Sequence, residues 1–291
     1  MAVGAPSRSE QNRLRAKLLA GPSRAAALDR LRDKARQNLL LLDVVDSIGE
    51  VPSASEVPAQ VLGAFAGTEL RGTVALRPSL VLESDLKVEV LDAVLPYLET
   101  ITAGLVKSPC ECVDLLWRRL ESSGKQALID RVEHALVLDA PAHVSVPLPD
   151  RACVRRAVAS DLDELVYAAR ASLREEGRPD PFDGDPVGFR RWVRGRLHRA
   201  RVVELGGRIA FVGYADVQRV EGWLVQGVYT WPEQRRRGLA SAGMSALADE
   251  AFSAGADHVQ LAVVDGNTAG MALYERLGFS IFDELRTILF V

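Results

Sequence analysis

The chain has 291 residues, 48% apolar and 26% charged, the balance of a folded globular protein long enough for two domains. Its net charge of −3 excludes a global attraction to nucleic acid or anionic lipid, and its longest apolar run, Leu39–Leu42 with Val44 and Val45, falls far short of the roughly 18 residues of a membrane span. Cys110, Cys112, Cys153 and the scattered His134, His143, His198 and His258 lack metal-ligand spacing, so no metal is expected; without signal or transit signatures the expected location is cytoplasmic.

In chain order, Ser7–Glu10 has the form of a capping box and predicts a helix to about Ala20, with Gly21-Pro22-Ser23 opening a second helix to about Asn38. Residues 1–36 carry nine Arg or Lys against three acids. This basic extension reads as solvated helices packing on the next domain in preference to an arm for nucleic acid or an acidic partner. Val61–Phe65 and Gly72–Leu76 flank Gly67-Thr68-Glu69 as a hairpin, Leu80–Leu82 follows as a strand, and Val88, Leu91, Val94, Leu95 and Leu98 mark an amphipathic helix. A strand over 101–106, a helix over 112–120 and a strand over 134–138 precede Pro141, Pro147 and Pro149, which read as a linker.

The second half restarts with a strand over 153–157, helices over 160–173 and 187–198, and strands over 202–205, 209–217 and 223–230. A helix over 238–254, a strand over 259–263, a helix over 268–277 and strands near 279–282 and 285–290 complete it. Both halves therefore run hairpin, strand, helix, strand, helix, strand, which suggests an internal duplication. The expected domains are a basic extension (1–37), a first α/β domain (38–145) and a second (150–291).

The run Gln234-Arg235-Arg236-Arg237-Gly238-Leu239-Ala240 lies at the mouth of the 238–254 helix. There unpaired N–H groups and the helix dipole favour an anion, and Gly238 and Ala240 allow close backbone approach, as a pyrophosphate requires. In Asn267-Thr268-Ala269-Gly270-Met271-Ala272-Leu273-Tyr274, helical spacing sets Ala269, Ala272, Leu273 and Leu277 as a core stripe. It places Asn267 and Tyr274 on a common side about 10 Å apart, suited to one elongated ligand.

These two motifs resemble the signatures of the GNAT superfamily of acyl-CoA-dependent N-acetyltransferases. The first matches Gln/Arg-x-x-Gly-x-Gly/Ala, and the second matches Asn-x-x-Ala-x-x-x-Tyr-x-x-x-Gly-Phe with Gly270 in the alanine place. The resemblance covers about residues 152–291. It implies an α/β fold with a mixed central sheet flanked by helices, and two GNAT-like domains in tandem, the first degenerate. Backbone groups of Val228, Tyr229 and Thr230 would pair with the pantetheine arm of acetyl-CoA. Arg235, Arg236, Arg237, Gly238, Leu239, Ala240 and Ser241 would hold its pyrophosphate, and Asn267 would lie beside the arm.

Tyr274 would protonate the departing thiolate, and Glu176, in Glu175-Glu176-Gly177, is the candidate base; Gln226 and Glu221 are further possibilities. The acceptor would be a small-molecule or peptide amine, with no metal, membrane or nucleic-acid partner expected and the oligomeric state open. A non-catalytic acyl-CoA-binding or scaffolding module is the alternative. In the first half, Glu83-Ser84-Asp85-Leu86 puts acids where a pyrophosphate would lie, so that half is not expected to bind acetyl-CoA.

Overall fold

A computed structural model describes residues 14–50 and 57–291; the capping box at Ser7–Glu10 lies outside them. The described residues form two compact units, one of residues 14–50, 57–133 and 284–291, the other of residues 134–283. Among them no helix is long and apolar enough to cross a membrane.

In the first unit β1 (Arg15–Leu18), β2 (Gln60–Ala66), β3 (Glu69–Arg77) and β4 (Val81–Leu82) form an antiparallel sheet in that order. The helix expected through Ala20 is instead β1. Leu14 and Ala16 pack inward while Arg15 and Lys17 stay exposed, a two-residue period that pairing with Leu62–Phe65 exploits. The next helix breaks at Asp33 and Lys34 into α1 (Pro22–Arg32) and α2 (Ala35–Asp46), well beyond Asn38. Leu28 and Leu31 of α1 and Leu41, Leu42 and Val45 of α2 share a core with Val61, Phe65 and Ala75.

A second core joins α3 (Val88–Leu98) and α4 (Cys110–Ser122) to Leu62, Val74, Val106, Ile288 and Phe290. β5 (Gly104–Pro109) pairs antiparallel with Leu285–Phe290 of β12 (Ser280–Phe290). Gln126, ahead of β6 (Ala127–Asp139), exchanges both backbone hydrogen bonds with Val291. β6 begins seven residues before the strand expected at 134. Its charged start hides a real strand, because buried Glu133 is satisfied by Lys107 and by Arg131 at 3.0 Å.

In the second unit β7 (Ala152–Arg156), β8 (Ala200–Leu205), β9 (Arg208–Arg219), β10 (Gly222–Thr230) and β11 (His258–Val264) are sheet neighbours in that order, and β6 adjoins β11. Only β10 with β11 is parallel among the registered pairs of this unit. β9 divides between two cores, alternating from Phe211 onward, after a register shift between Ile209 and Phe211. Ala210, Phe211 and Ala215 pack with α8 (Leu239–Ser253) and α9 (Thr268–Arg276), while Ile209, Val212 and Tyr214 pack with α5 (Leu162–Glu175) and α7 (Pro186–Gly195).

The proline-rich stretch is built into this unit: Val144 N–H donates to the Leu277 carbonyl at 3.2 Å and Val146 N–H to Ser245 Oγ at 2.9 Å. Between α5 and α7 the short α6 (Pro181–Gly184) was not anticipated; half-buried Asp180 caps it and receives Arg170 at 2.8 Å and Arg174 at 3.0 Å. The two strands expected at the end are one, because Asp283 and Glu284 do not interrupt β12.

Candidate functional site

The ladder between the parallel strands β10 and β11 is short: Trp223 faces Val259 and Leu224 faces Gln260. Both strands run on, to Thr230 and to Val264, without further registered pairing. Backbone groups along the carboxyl-terminal part of β10 can therefore serve an extended ligand as a neighbouring strand would. On its other edge β10 bulges: Gln226 faces Tyr214 but Tyr229 faces Val212, one extra residue on β10. Gly227 occupies the bulge at φ 59°, and a Cβ there would stand 3.0 Å from the Tyr214 ring. Val228 and Thr230 are half-buried; Tyr229 is buried, its ring 5.4 Å from Trp231.

A short turn, Pro232–Gln234, then delivers the arginine run to α8. Gly238 precedes the helix at φ 77° with nothing within 4 Å of where a Cβ would be. The glycine thus answers to the left-handed backbone, and the space before the helix is open. No side chain caps α8 and its first turn holds no acid. The amides of Leu239, Ala240 and Ser241 keep the unmet donor capacity and positive dipole end that bind anions. The Leu239 side chain is buried, Ala240 and Ser241 are half-buried and Arg235 to Gly238 are exposed, so backbone amides, the arginines and the Ser241 hydroxyl are available to solvent here.

The three arginines differ. Arg235 Nη2 donates to both carboxylate oxygens of Glu175, at 2.6 and 2.8 Å, and its Nε donates to the Thr230 carbonyl at 2.9 Å. Arg237 Nη1 donates to Gln234 Oε1 at 2.6 Å, while Arg236 is exposed with φ 62°. The Tyr229 phenol beside this group is pushed up to about 12, by burial first and by the Glu175 charge next.

Beyond β11, Asn267 caps α9, its Oδ1 accepting from the Gly270 N–H at 2.9 Å. At Gly270 a Cβ would come within 2.9 Å of Asn267 Nδ2, so the glycine leaves room for this cap. Ala269 and Ala272, expected in the core stripe, are exposed. Leu273 and Leu277 of that stripe do pack inward, joined by Met271 and Tyr274 in place of the alanines, with Met271 and Leu277 each three residues from Tyr274. The Tyr274 ring packs on Phe279 at 5.6 Å, and burial alone raises its phenol above the ordinary range.

On the opposite face of the sheet, Glu176 directly follows α5, exposed, 3.4 Å from Ser172 Oγ and 3.8 Å from Arg178 Nη1. Its neighbour Glu175 is the residue that meets the arginine run. Gln226 is half-buried at the bulge, and Glu221 pairs with Arg219 at 3.1 Å in the turn before β10. Sequence reasoning missed the Glu175–Arg235 pair and an Arg196–Asp216 pair near the bulge, both joined only by folding, with no local spacing to reveal them.

In the first unit, the acids at Glu83 and Asp85 are met from the basic extension. Arg30 Nε donates to Glu83 Oε1 at 2.6 Å, Lys34 pairs with Asp85, and Arg24 with Asp46. Burial nevertheless raises the Glu83 carboxyl, the Arg30 charge opposing it.

The Acetyltransferase (GNAT) family model matches residues 163–279. A curated relative, the L-ornithine N5-acetyltransferase NATA1 of Arabidopsis thaliana, is 27% identical over 85 residues, 29% of this chain and 37% of its own length. The chain thus matches little more than a third of that relative. Among solved structures, a Drosophila protein superposes with a TM-score of 0.69 at 15% identity, covering 94% of this chain and 98% of its own. A GCN5-related N-acetyltransferase from Sphaerobacter thermophilus gives 0.58 at 15% identity, with 96% and 95% coverage. A tandem GNAT protein from the clavulanic acid biosynthesis pathway gives 0.56 at 12%, with 95% and 98% coverage. The fold likeness therefore takes in both halves of the sequence.

Proposed function

Taking as premise that residues 163–279 are an acetyltransferase domain of the GNAT family, we propose that the protein transfers an acetyl group from acetyl-CoA to a primary amine by direct attack in a ternary complex. The observation that carries this reading is the uncapped, acid-free start of α8 beside the end of β10, where pairing with β11 has stopped. A diphosphate bound by the Leu239, Ala240 and Ser241 amides would leave the pantetheine arm to run along Val228, Tyr229 and Thr230 as an added strand, with Asn267 beside it. Arg236 and Arg237 would add charge directly, and Arg235 would have to share itself between Glu175 and the phosphates.

The amine attacks the thioester carbonyl, a C–N bond forms, the C–S bond breaks and the sulfur leaves with the electron pair. Tyr274 supplies the thiolate with a proton; its burial keeps the phenol protonated throughout the physiological range. Glu176 stands as the candidate to receive the proton that the amine loses. In the first unit, Glu83 and Asp85 stand where a pyrophosphate would lie and already hold Arg30 and Lys34, so that half would not bind acetyl-CoA.

The test is calorimetric titration with acetyl-CoA followed by thiol-release assays over an amine panel. Micromolar binding with amine-dependent thiol release is expected. Binding without release on any amine would favour a non-catalytic acyl-CoA-binding module, and no binding would remove the reading altogether.

A further inference from the structure

Near the β10 bulge, on the face packed by α5 and α7, a guanidinium is held in a fixed orientation. Arg196, directly after α7, donates its Nε to Asp216 Oδ1 at 3.1 Å and its Nη2 to Asp216 Oδ2. Its guanidinium lies 4.2 Å from the Tyr214 ring centroid and 4.7 Å from that of Trp192. A guanidinium has five N–H groups. Asp216 takes two, and among the described residues no other acceptor meets the rest.

Two features set this pair apart from an ordinary strut. The residue beside it on β10 is Gly227, exposed, where a Cβ would already reach van der Waals contact with Arg196 Nη2 at 3.7 Å, so the glycine leaves that edge of the fork uncovered. Trp192 keeps 44% of its surface exposed next to a cation it could otherwise help to cover. The Arg196 side chain itself retains 16% exposure.

We propose that Arg196 binds a carboxylate of the acceptor, so that the acceptor is an amino-acid-type molecule in which the reacting amine and a carboxylate are carried together. The inference rests on acetyl transfer to an amine as set out above. A planar fork fixed between two rings matches a carboxylate edge to edge, with little conformational freedom left to lose. Asp216 already cancels the charge of Arg196, so the pocket suits one negative charge better than a phosphate dianion. Gly227 immediately precedes the strand segment assigned to the pantetheine arm, which sets the fork near the thioester end of the cofactor.

The experiment compares kcat/KM for pairs of amines differing only in the carboxylate, ornithine against putrescine and lysine against cadaverine, in wild type, Arg196→Gln and Arg196→Lys. Acetyl-CoA affinity is measured on each protein. Charge-assisted hydrogen bonds of this kind correspond to about tenfold to a hundredfold preference for the carboxylated amine in wild type. That ratio should fall toward one in Arg196→Gln, mainly through KM, and only partly in Arg196→Lys, which keeps the charge without the fork.

A readout independent of variant folding is inhibition of the wild type: valerate should compete with the amine and valeramide should not. Equal use of both members of each pair, an unchanged ratio in a variant that still binds acetyl-CoA, or no competition by valerate would overturn the inference. So would failure to acetylate any member of the panel when acetyl-CoA binds. Absence of acetyl-CoA binding would instead remove the parent reading.

Discussion

In the proposed mechanism Tyr274 supplies the proton to the departing thiolate. Tyr274→Phe removes one hydroxyl from a packed ring, so acetyl-CoA affinity should hold while kcat drops by about tenfold to a thousandfold, as loss of a positioned acid does. Calorimetry and steady-state rates on the same preparation check both halves of this expectation. If Glu176 accepts the amine proton, Glu176→Gln should lower kcat by about a hundredfold or more while acetyl-CoA affinity holds, as loss of a positioned base does, and steady-state rates beside calorimetry would reveal it. The tyrosines also set an alkaline limit. Burial pushes Tyr214 and Tyr229 up to about 12, so above pH 10 the unfolded chain releases protons that the folded chain keeps. Fewer protons bound in the unfolded state makes stability fall as pH rises from about 10 toward 12, and urea unfolding at pH 9 and 11 should show a lower midpoint at 11.

At the level of elements, the proposed diphosphate site at the start of α8 depends on one backbone conformation, that of Gly238. Gly238→Ala forces φ 77° on a residue with a Cβ, at a cost of about 1 kcal/mol. Because nothing crowds that position, the loss should fall on acetyl-CoA binding more than on overall folding, and thermal unfolding with and without ligand separates the two. Most of the second-half elements were legible because their signals are local: a glycine before an apolar helical period for α8, and β-branched runs parted by Gly206-Gly207 for β8 and β9. Where expectation failed, the deciding partner lay elsewhere in the chain. Residues 15–18 form β1 only because β2 is there to pair with them, and the start of β6 carries Glu133, whose charge is acceptable only beside Lys107 and Arg131. The packed face of α9 was misjudged for a related reason. Small alanines satisfy a helical stripe on paper, but Tyr274 and Met271 have more apolar surface to bury.

Across the whole molecule, two buried glutamates of the first unit, Glu133 and Glu83, respond oppositely to pH. Glu133 would be raised by burial alone, but Lys107 and Arg131 hold it down to about 2. Its stabilising contribution is present above the unfolded value of 4.5 and is lost as pH falls through the range below it. Glu83 is raised by burial in spite of Arg30, so its contribution is fullest below its unfolded pKa and declines as pH rises. At pH 7, therefore, Glu133→Gln should lower the unfolding midpoint clearly more than Glu83→Gln, and the gap should narrow toward pH 3; denaturant titrations at both pH values check this. The assignment of residues 284–291 to the first unit has a practical consequence for anyone dissecting the gene. A fragment of residues 141–291 would keep the arginine run and α9 yet retain a ribbon, Leu285–Phe290, parted from its β5 mate. With Ile288 and Phe290 stripped of their cover, such a fragment would offer a sticky, unzipped margin to its own copies, and precipitation during expression is the foreseeable outcome.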